Sequence, residues 1–340
     1  MSRVTATTAR PALPDGVTRV PLPIGMSNIE SVNAYVLADG DRVTLVDCGV
    51  WRPDPDDDGM PALERGLNSA GYAVRDISRL MVTHAHIDHY GLAGRIMEVT
   101  GAELWMHGFT DLDCEKYRHP DTAMARRRDT YADHGVPEPE RMALAEGLGR
   151  WMPYLHFVVE ASRRLKGGER ITVGGREWEV LHTPGHSLGH VCLASAAERV
   201  VFSGDHLLPG VTPPVTFERG FDADPLRSYL ESLQRVAERD PDLVLPGHGS
   251  PFTGGRRRIE AIVRNKMRRL DSVRQMIERR PSTVTEIADA LVAKAIIGFQ
   301  RNLALSETLA HIAYLRWSGL VERRVRPDGV YEWYAQRSEG

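Results

Sequence analysis

Short apolar runs separated by Gly, Asp and Pro turns occupy residues 17 to about 104, a pattern that predicts strands first and helices after them. The stretch "NAYVLADGDRVTLVDCG" reads as a hairpin turning through Asp39, Gly40 and Asp41. Next, "PALERGLNSAGY" has the spacing of a helix, "ISRLMVTH" that of a strand and "YGLAGRIMEVTG" that of a helix, the alternation of an α/β layer structure. Residues from about 109 to 166 are helix-prone, Arg-rich at Arg126, Arg127 and Arg128, and broken at "HGVPEPE"; they predict two or more helices inserted into the α/β domain. Within the insert, "WMPYLHFVVEASRRL" is too apolar for a solvated helix, so part of it must pack on the domain or cover something. Strands return at "RITVGG", "EWEVLH", "VCLAS", "RVVFSGD" and "LVLPGHG", with the helix "PLRSYLESLQRVAER" between the last two.

After Gly255 the pattern shifts, with Ile259, Ile262, Val263, Leu270, Val273 and Ile277 at helical spacing among many Arg and Lys residues. "STVTEIADALVAKAI" opens with a Thr283/Glu286 capping box, and "SETLAHIAYLRWSGL" is expected to start at Ser306 as N-cap and stop at Gly319. "VERRVRPDGVYEWYA" is a hairpin with Pro-Asp-Gly at its tip. Helix, helix and hairpin is the order of a winged helix-turn-helix. The expected organisation is a flexible arm over residues 1–16, a catalytic domain over 17–255, and a basic helix plus a separately packed, winged-helix-like α+β domain over 256–340.

Composition narrows the function classes. A chain of 340 residues suits two domains, and a net charge of -3 gives no global pull toward nucleic acid or anionic membranes. Cys48, Cys114 and Cys192 lie far apart without a CxxC pair, which argues against a disulfide framework or a thiolate zinc cluster and fits a reducing cytoplasm. The opening "MSRVTATTARPALPDG" lacks the apolar core of a secretory signal, and no stretch reaches the length of a membrane span. A cytoplasmic protein without a membrane partner is expected.

The chemistry concentrates at "VTHAHIDHYGLAG", where three of the 13 histidines and an aspartate fall in six positions. In an extended chain residues i and i+2 point the same way, so His84 and His86 can serve one ion while Asp88 and His89, turning into a helix, serve another. Imidazole and carboxylate donors suit zinc, iron or manganese and leave coordination positions open for water. His186 in "LHTPGHSLGH", Asp205 in "VVFSGDH" and His248 in "LVLPGHG" each follow an apolar strand and adjoin Gly, where the backbone can bring them to one sheet edge.

The ordered set HxHxDH, TPGHSxGH, SGD and PGHG resembles the metallo-β-lactamase fold superfamily over roughly residues 17–255. The resemblance implies a four-layered αββα sandwich with a dinuclear site at the edge between two sheets. It implies His84, His86 and His186 as ligands of the first metal, Asp88, His89 and His248 of the second, and Asp205 as the bridge. Asp47 and His190 would support the ligands, and Asp88 would also orient the attacking water or shuttle its proton. The cofactor would be two divalent transition-metal ions, zinc first, with iron or manganese as alternatives. An aspartate rather than a cysteine at position 205 is similar to the glyoxalase II-like and nuclease-like branch and unlike the β-lactam-hydrolysing enzymes.

The resemblance implies metal-activated hydrolysis without naming the substrate. A small ester, thioester or lactone with an apolar acyl part is the first expectation, with Trp151, Tyr154 and Phe157 of the insert as its wall. The alternative is an endoribonuclease of single-stranded RNA, suggested by the cationic crowd from Arg256 to Arg269 and the winged-helix-like tail. A further alternative is a mononuclear iron persulfide dioxygenase. The tail is also suited to homodimer formation. His182 and His206 are expected in structural roles, and His107, His119, His134, His156 and His311 have no assigned one.

Overall fold

A computed structural model describes residues 11–26, 29–54, 56–147, 149–292 and 296–336. The first sheet runs in chain order through β1 (Val17–Met26), β2 (Ile29–Asp39), β3 (Arg42–Val46), β4 (Ile77–Met81), β5 (Glu103–His107) and β6 (Arg163–Leu165). Its first two pairings are antiparallel and the remaining ones parallel. The second sheet has the order β12-β11-β10-β9-β8-β7, built from β7 (Arg170–Val173), β8 (Arg176–His182), β9 (Val191–Ser195), β10 (Val200–Gly204), β11 (Leu243–Pro246) and β12 (Phe252–Thr253).

Strand alternation explains the layering. Along β2, Tyr35 and Leu37 enter the core between the sheets, while Val32, Ala34 and Val36 face the opposite way. On the second sheet Leu193, Phe202 and Leu245 point inward, and Cys192, Val201 and Val244 point outward to the helices. Both faces of β9 and β10 are covered, which is why "VCLAS" and "VVFSG" are buried throughout. The inner core is organised by Trp178, fully buried with its ring 5.0 Å from that of Phe202. On the outer face of the first sheet lie α1 (Met60–Ser69), the short α2 (Ile87–Tyr90) and α3 (Ala93–Thr100).

Among its described residues the insert holds three helices, α4 (Thr110–Arg118), α5 (Pro120–Asp133) and α6 (Glu138–Ala145), and then departs from expectation. The apolar run from Trp151 forms a single 3-10 turn at Met152–Tyr154 and then continues without helix. It lies beside α2 and α3: Tyr154 O accepts from Trp51 N, His156 N donates to Gly91 O, and Phe157 rests against Gly94. Its end, β6, pairs with β5, so the last part of the insert is a strand of the first sheet.

The second outer layer is α7 (Pro225–Ala237), capped by the Asp224 carboxylate on Arg227 N, together with α8 (Gly255–Arg279). They are followed by α9 (Val284–Leu291), whose Thr283/Glu286 capping box is present, α10 (Gly298–Trp317), and the hairpin of β13 (Val321–Val325) and β14 (Tyr331–Ala335). Ser306 does not cap α10. The N-cap position is Ile297, nine residues earlier; Gln300, Arg301, Leu303, Ala304 and Leu305 are good helix formers, and Ser306 lies buried inside the helix near the Tyr131 hydroxyl at 3.3 Å. Nor is the tail packed apart: one buried cluster joins Leu181, Cys192 and Tyr229 to Ile259, Leu309 and Trp333. Of the expected N-terminal arm, residues 1–10 lie outside the described residues, whereas Leu13 packs on the inter-sheet core and Gly16 O accepts from Ala38 N. All three cysteines are buried and free, and among the described residues no helix is long and apolar enough to cross a membrane.

His134, stacked 6.2 Å from the Trp333 ring, has its pKa pushed from 6.5 down to about 3, chiefly by burial. The folded protein therefore keeps it neutral while the unfolded chain protonates it below about 6.5. Its stabilising contribution is full above that pH and lost as the pH falls toward 3, at about 1.4 kcal/mol per unit. Urea unfolding at pH 7 and pH 5 should show a loss of stability on acidification, and His134→Leu should reduce that loss by about 2 kcal/mol.

Candidate metal centre

The C-terminal ends of β3, β4, β8, β10 and β11 meet at one edge of the sandwich, and every residue singled out from the four motifs sits there. Thr83 and Asp47 organise the first sheet's side. Asp47 adopts a left-handed conformation with φ 58°, accepting from Thr83 N at 2.7 Å and Thr83 Oγ1 at 2.9 Å. His89 Nδ1 donates to the same carboxylate at 2.7 Å. Since the Thr83 hydroxyl proton goes to Asp47, its oxygen accepts from His84 Nδ1 at 3.1 Å.

The second sheet's side is pinned in the same manner. His186 Nδ1 donates to Pro214 O at 2.9 Å, and His248 Nδ1 donates to Ser31 O at 2.8 Å. His190 accepts from Asp205 N at 3.2 Å and bonds Thr183 Oγ1 at 2.8 Å, fixing the backbone that carries the Asp205 carboxylate. Committing Nδ1 to the protein leaves Nε2 of His84, His89, His186 and His248 as the outward nitrogen.

Those nitrogens converge. His86 Nδ1 lies 3.0 Å from His84 Nε2 and 3.0 Å from His186 Nε2. Nitrogens bound tetrahedrally at about 2.0–2.1 Å from one metal sit about 3.3 Å apart, so this triad has the size of a tri-imidazole site. A second group forms where His248 Nε2 lies 3.3 Å from His89 Nε2 and 3.1 Å from Asp88 Oδ2. Asp205 stands between the groups, with Oδ1 3.4 Å from His89 Nε2, and Oδ2 3.5 Å from His248 Nε2 and 3.7 Å from His186 Nε2. The donor set fits divalent metal ions, with three groups of converging donors among the described residues: His84, His86 and His186; His84, His89 and Asp205; and Asp88, His89 and His248.

The electrostatics agree with that fit. Burial pushes His84, His86 and His186 down, leaving neutral imidazoles with lone pairs to donate. Burial also disfavours charge on His89 and His248, but the carboxylates led by Asp205 override it and raise them to about 10 and about 11. Asp88 is held near 2 because His89 and His248 outweigh its desolvation. The two carboxylates thus make this spot a sink for positive charge.

Several contributors were not legible as motif members. Gly247 is required because a Cβ there would lie 2.6 Å from both Asp205 Oδ1 and His89 Cε1. Helix α4 is tied to both ligand loops: Asp113 accepts from Ser187 Oγ at 2.6 Å and Gly189 N at 2.8 Å, and Tyr117 donates to Ala85 O at 2.8 Å. It presents Lys116 to a cleft beside His86 and His186 whose other walls include Ser187, Leu188, Glu218 and Phe221. Trp151, Tyr154 and Phe157 are not among those walls. Trp151 and Tyr154 fill the layer outside the first sheet, and Phe157 stays half exposed over α3. The cationic crowd is also partly committed, since Arg256 pairs with Asp240 at 3.2 Å and Arg258 donates to Leu208 O at 2.6 Å.

Comparison with known proteins agrees with this geometry. Residues 28–248 match the metallo-beta-lactamase superfamily, and residues 270–336 match the metallo-beta-lactamase-like C-terminal domain. A probable metallo-hydrolase of Bacillus subtilis, YqjP, is 28% identical over 304 residues, covering 87% of this chain and 90% of that protein. The hydroxyacylglutathione hydrolase GloC of Haemophilus influenzae is 27% identical over 176 residues, 52% of this chain and 70% of that protein. The crystal structure of the metallo-beta-lactamase family protein TTHA1429 from Thermus thermophilus superposes with a TM-score of 0.82 at 30% identity, covering 96% of this chain and all 100% of that one. With both domains matched and the His/Asp cluster assembled at the sheet edge, the chain belongs to the metallo-beta-lactamase superfamily and is a metallo-hydrolase.

Proposed function

We propose that this metallo-hydrolase works with two divalent ions, zinc first, and cleaves a small ester or thioester. The observation that carries this reading is the position of Asp205, whose Oδ2 lies 3.7 Å from His186 Nε2 in one donor group and 3.5 Å from His248 Nε2 in the other, with Oδ1 3.4 Å from His89 Nε2. When bound, the ions supply Lewis acidity, which brings the pKa of a coordinated water toward about 7 and polarises the scissile carbonyl. Asp88 turns Oδ2 to His248 and keeps its other oxygen as a hydrogen-bond acceptor that orients the attacking water. Asp47, Thr83 and His190 hold the donors rigid, so little reorganisation accompanies the reaction.

The cleft favours a polar substrate over a long apolar acyl chain. Lys116 forms no ion pair among the described residues, its ammonium lying 5.3 Å from the Tyr117 ring. We read it as the contact for an anionic substituent on a small acyl compound. GloC, by its name, hydrolyses a hydroxyacylglutathione, a substrate of that general size. A polymer of RNA would need free cations near the site, and Arg256 and Arg258 are already engaged.

Elemental analysis should find two transition-metal ions per fully loaded chain. Asp205→Ala should lower occupancy at both positions, whereas His186→Ala should empty mainly one. Asp47→Asn should weaken metal binding by about 10- to 100-fold, because it removes the acceptor that orients His89. Lys116→Ala should raise KM by about tenfold for an anionic thioester with kcat little changed, and should leave an uncharged analogue unaffected. Cleavage of single-stranded RNA that depends on Asp205, with no ester or thioester turnover, would replace this reading. A single iron with persulfide oxidation would replace it by the other route.

A further inference from the structure

The segment between Asp205 and α7 has no helix or strand from 206 to 224, yet it carries Pro214, whose carbonyl orients His186. Pro213 and Pro214 have no N–H, so this stretch cannot be anchored through their own backbone donors. Tyr229, Ser203 and Asp133 hold its two ends, at His206, Leu207 and Arg219, and its middle is anchored from beyond residue 255. Arg258 on α8 donates to Leu208 O and Val211 O, and Phe217 N donates to Ser306 O on α10 at 3.1 Å. Val215 N donates to Glu307 Oε1 at 3.3 Å, and Lys266 Nζ, only 3% exposed, donates to that same oxygen at 2.7 Å.

Pro214 C=O and Val215 N–H belong to one peptide unit, which is planar with its two dipolar ends pointing in opposite directions. Glu307 therefore grips one end of the peptide whose other end holds the His186 ring. A carboxylate on the N–H also polarises the carbonyl and strengthens it as an acceptor for His186 Nδ1. We propose that Glu307, neutralised and held by Lys266, is a positioning residue for the metal centre, so that the C-terminal domain sets the affinity of the His84–His86–His186 position. The proposal rests on the reading of that triad as a metal site.

The test titrates the full chain with cobalt(II), followed by its visible spectrum and by competition with a chelator. Wild-type protein should bind two equivalents. Lys266→Met with Glu307→Leu replaces the ion pair by apolar side chains of similar size, a change that buried pairs commonly tolerate, while removing the acceptor for Val215 N–H. This variant should hold one equivalent about 10- to 100-fold more weakly and the other as before. Lys266→Met with Glu307→Gln keeps an acceptor oxygen and should recover most of the loss. Glu307→Asp, which keeps the charge but withdraws it by one methylene, should fall between and gives the answer if the apolar pair does not fold. Wild-type affinity and spectrum in the Leu and Asp variants, or equal weakening of both equivalents, would overturn the role of Glu307 alone. A wild-type chain that binds no cobalt would remove the metal-site reading and the proposal with it.

Discussion

An imidazole offers two nitrogens, and a histidine metal site depends on each ring committing one of them to the protein. That commitment is the constraint around which this fold is arranged. Asp47, Thr83, Pro214 and Ser31 each take an Nδ1 proton, and four rings are thereby locked with Nε2 toward a common centre. Two of these partners are backbone carbonyls, so loop positions matter as much as side-chain identity. His86 is the exception and turns Nδ1 inward, as its place in the turn before α2 requires.

The partners come from different sheets, and the sheets must keep a fixed relation at this edge. Asn33 on β2 donates from its amide to Pro246 O and Gly249 O, both at 2.8 Å, and its backbone N–H donates to Gly247 O at 2.7 Å. Tyr35 donates across the core to Pro246 O at 2.9 Å. These bonds fasten the loop that carries His248 to the sheet that carries Asp47 and His84. A buried amide satisfied this fully is rigid, because breaking any one bond would leave a polar group without water.

The ligand order was readable because its chemistry repeats a simple rule: an apolar strand, a Gly-containing turn, then a His or Asp. The strand positions and the Thr283/Glu286 cap followed from apolar patterning and local hydrogen bonding, which operate over a few residues. Ser306 misled because a residue suited to capping can equally sit inside a helix when a neighbour such as Tyr131 meets its hydroxyl. Trp151, Tyr154 and Phe157 lie apart from the Lys116 cleft, a placement no local pattern gives, because an apolar side chain does not say against which layer it packs. Lys266 falls on the same stripe as Ile262 and Leu270, a position from which its burial could have been read. Its partner Glu307 lies 41 residues away, and no local pattern connects them.

The buried cluster shared by the second sheet and the tail has a consequence for how the protein is made. All seven candidate ligands precede residue 249, but the buried cluster that includes Leu181, Cys192, Val201 and Val244 of the second sheet extends to side chains as late as Trp333. During synthesis these residues therefore emerge before the contacts that α8 and α10 make to the 206–224 segment can form. The loop whose Pro214 carbonyl orients His186 gains its full set of bonds only after α8 and α10 have left the ribosome.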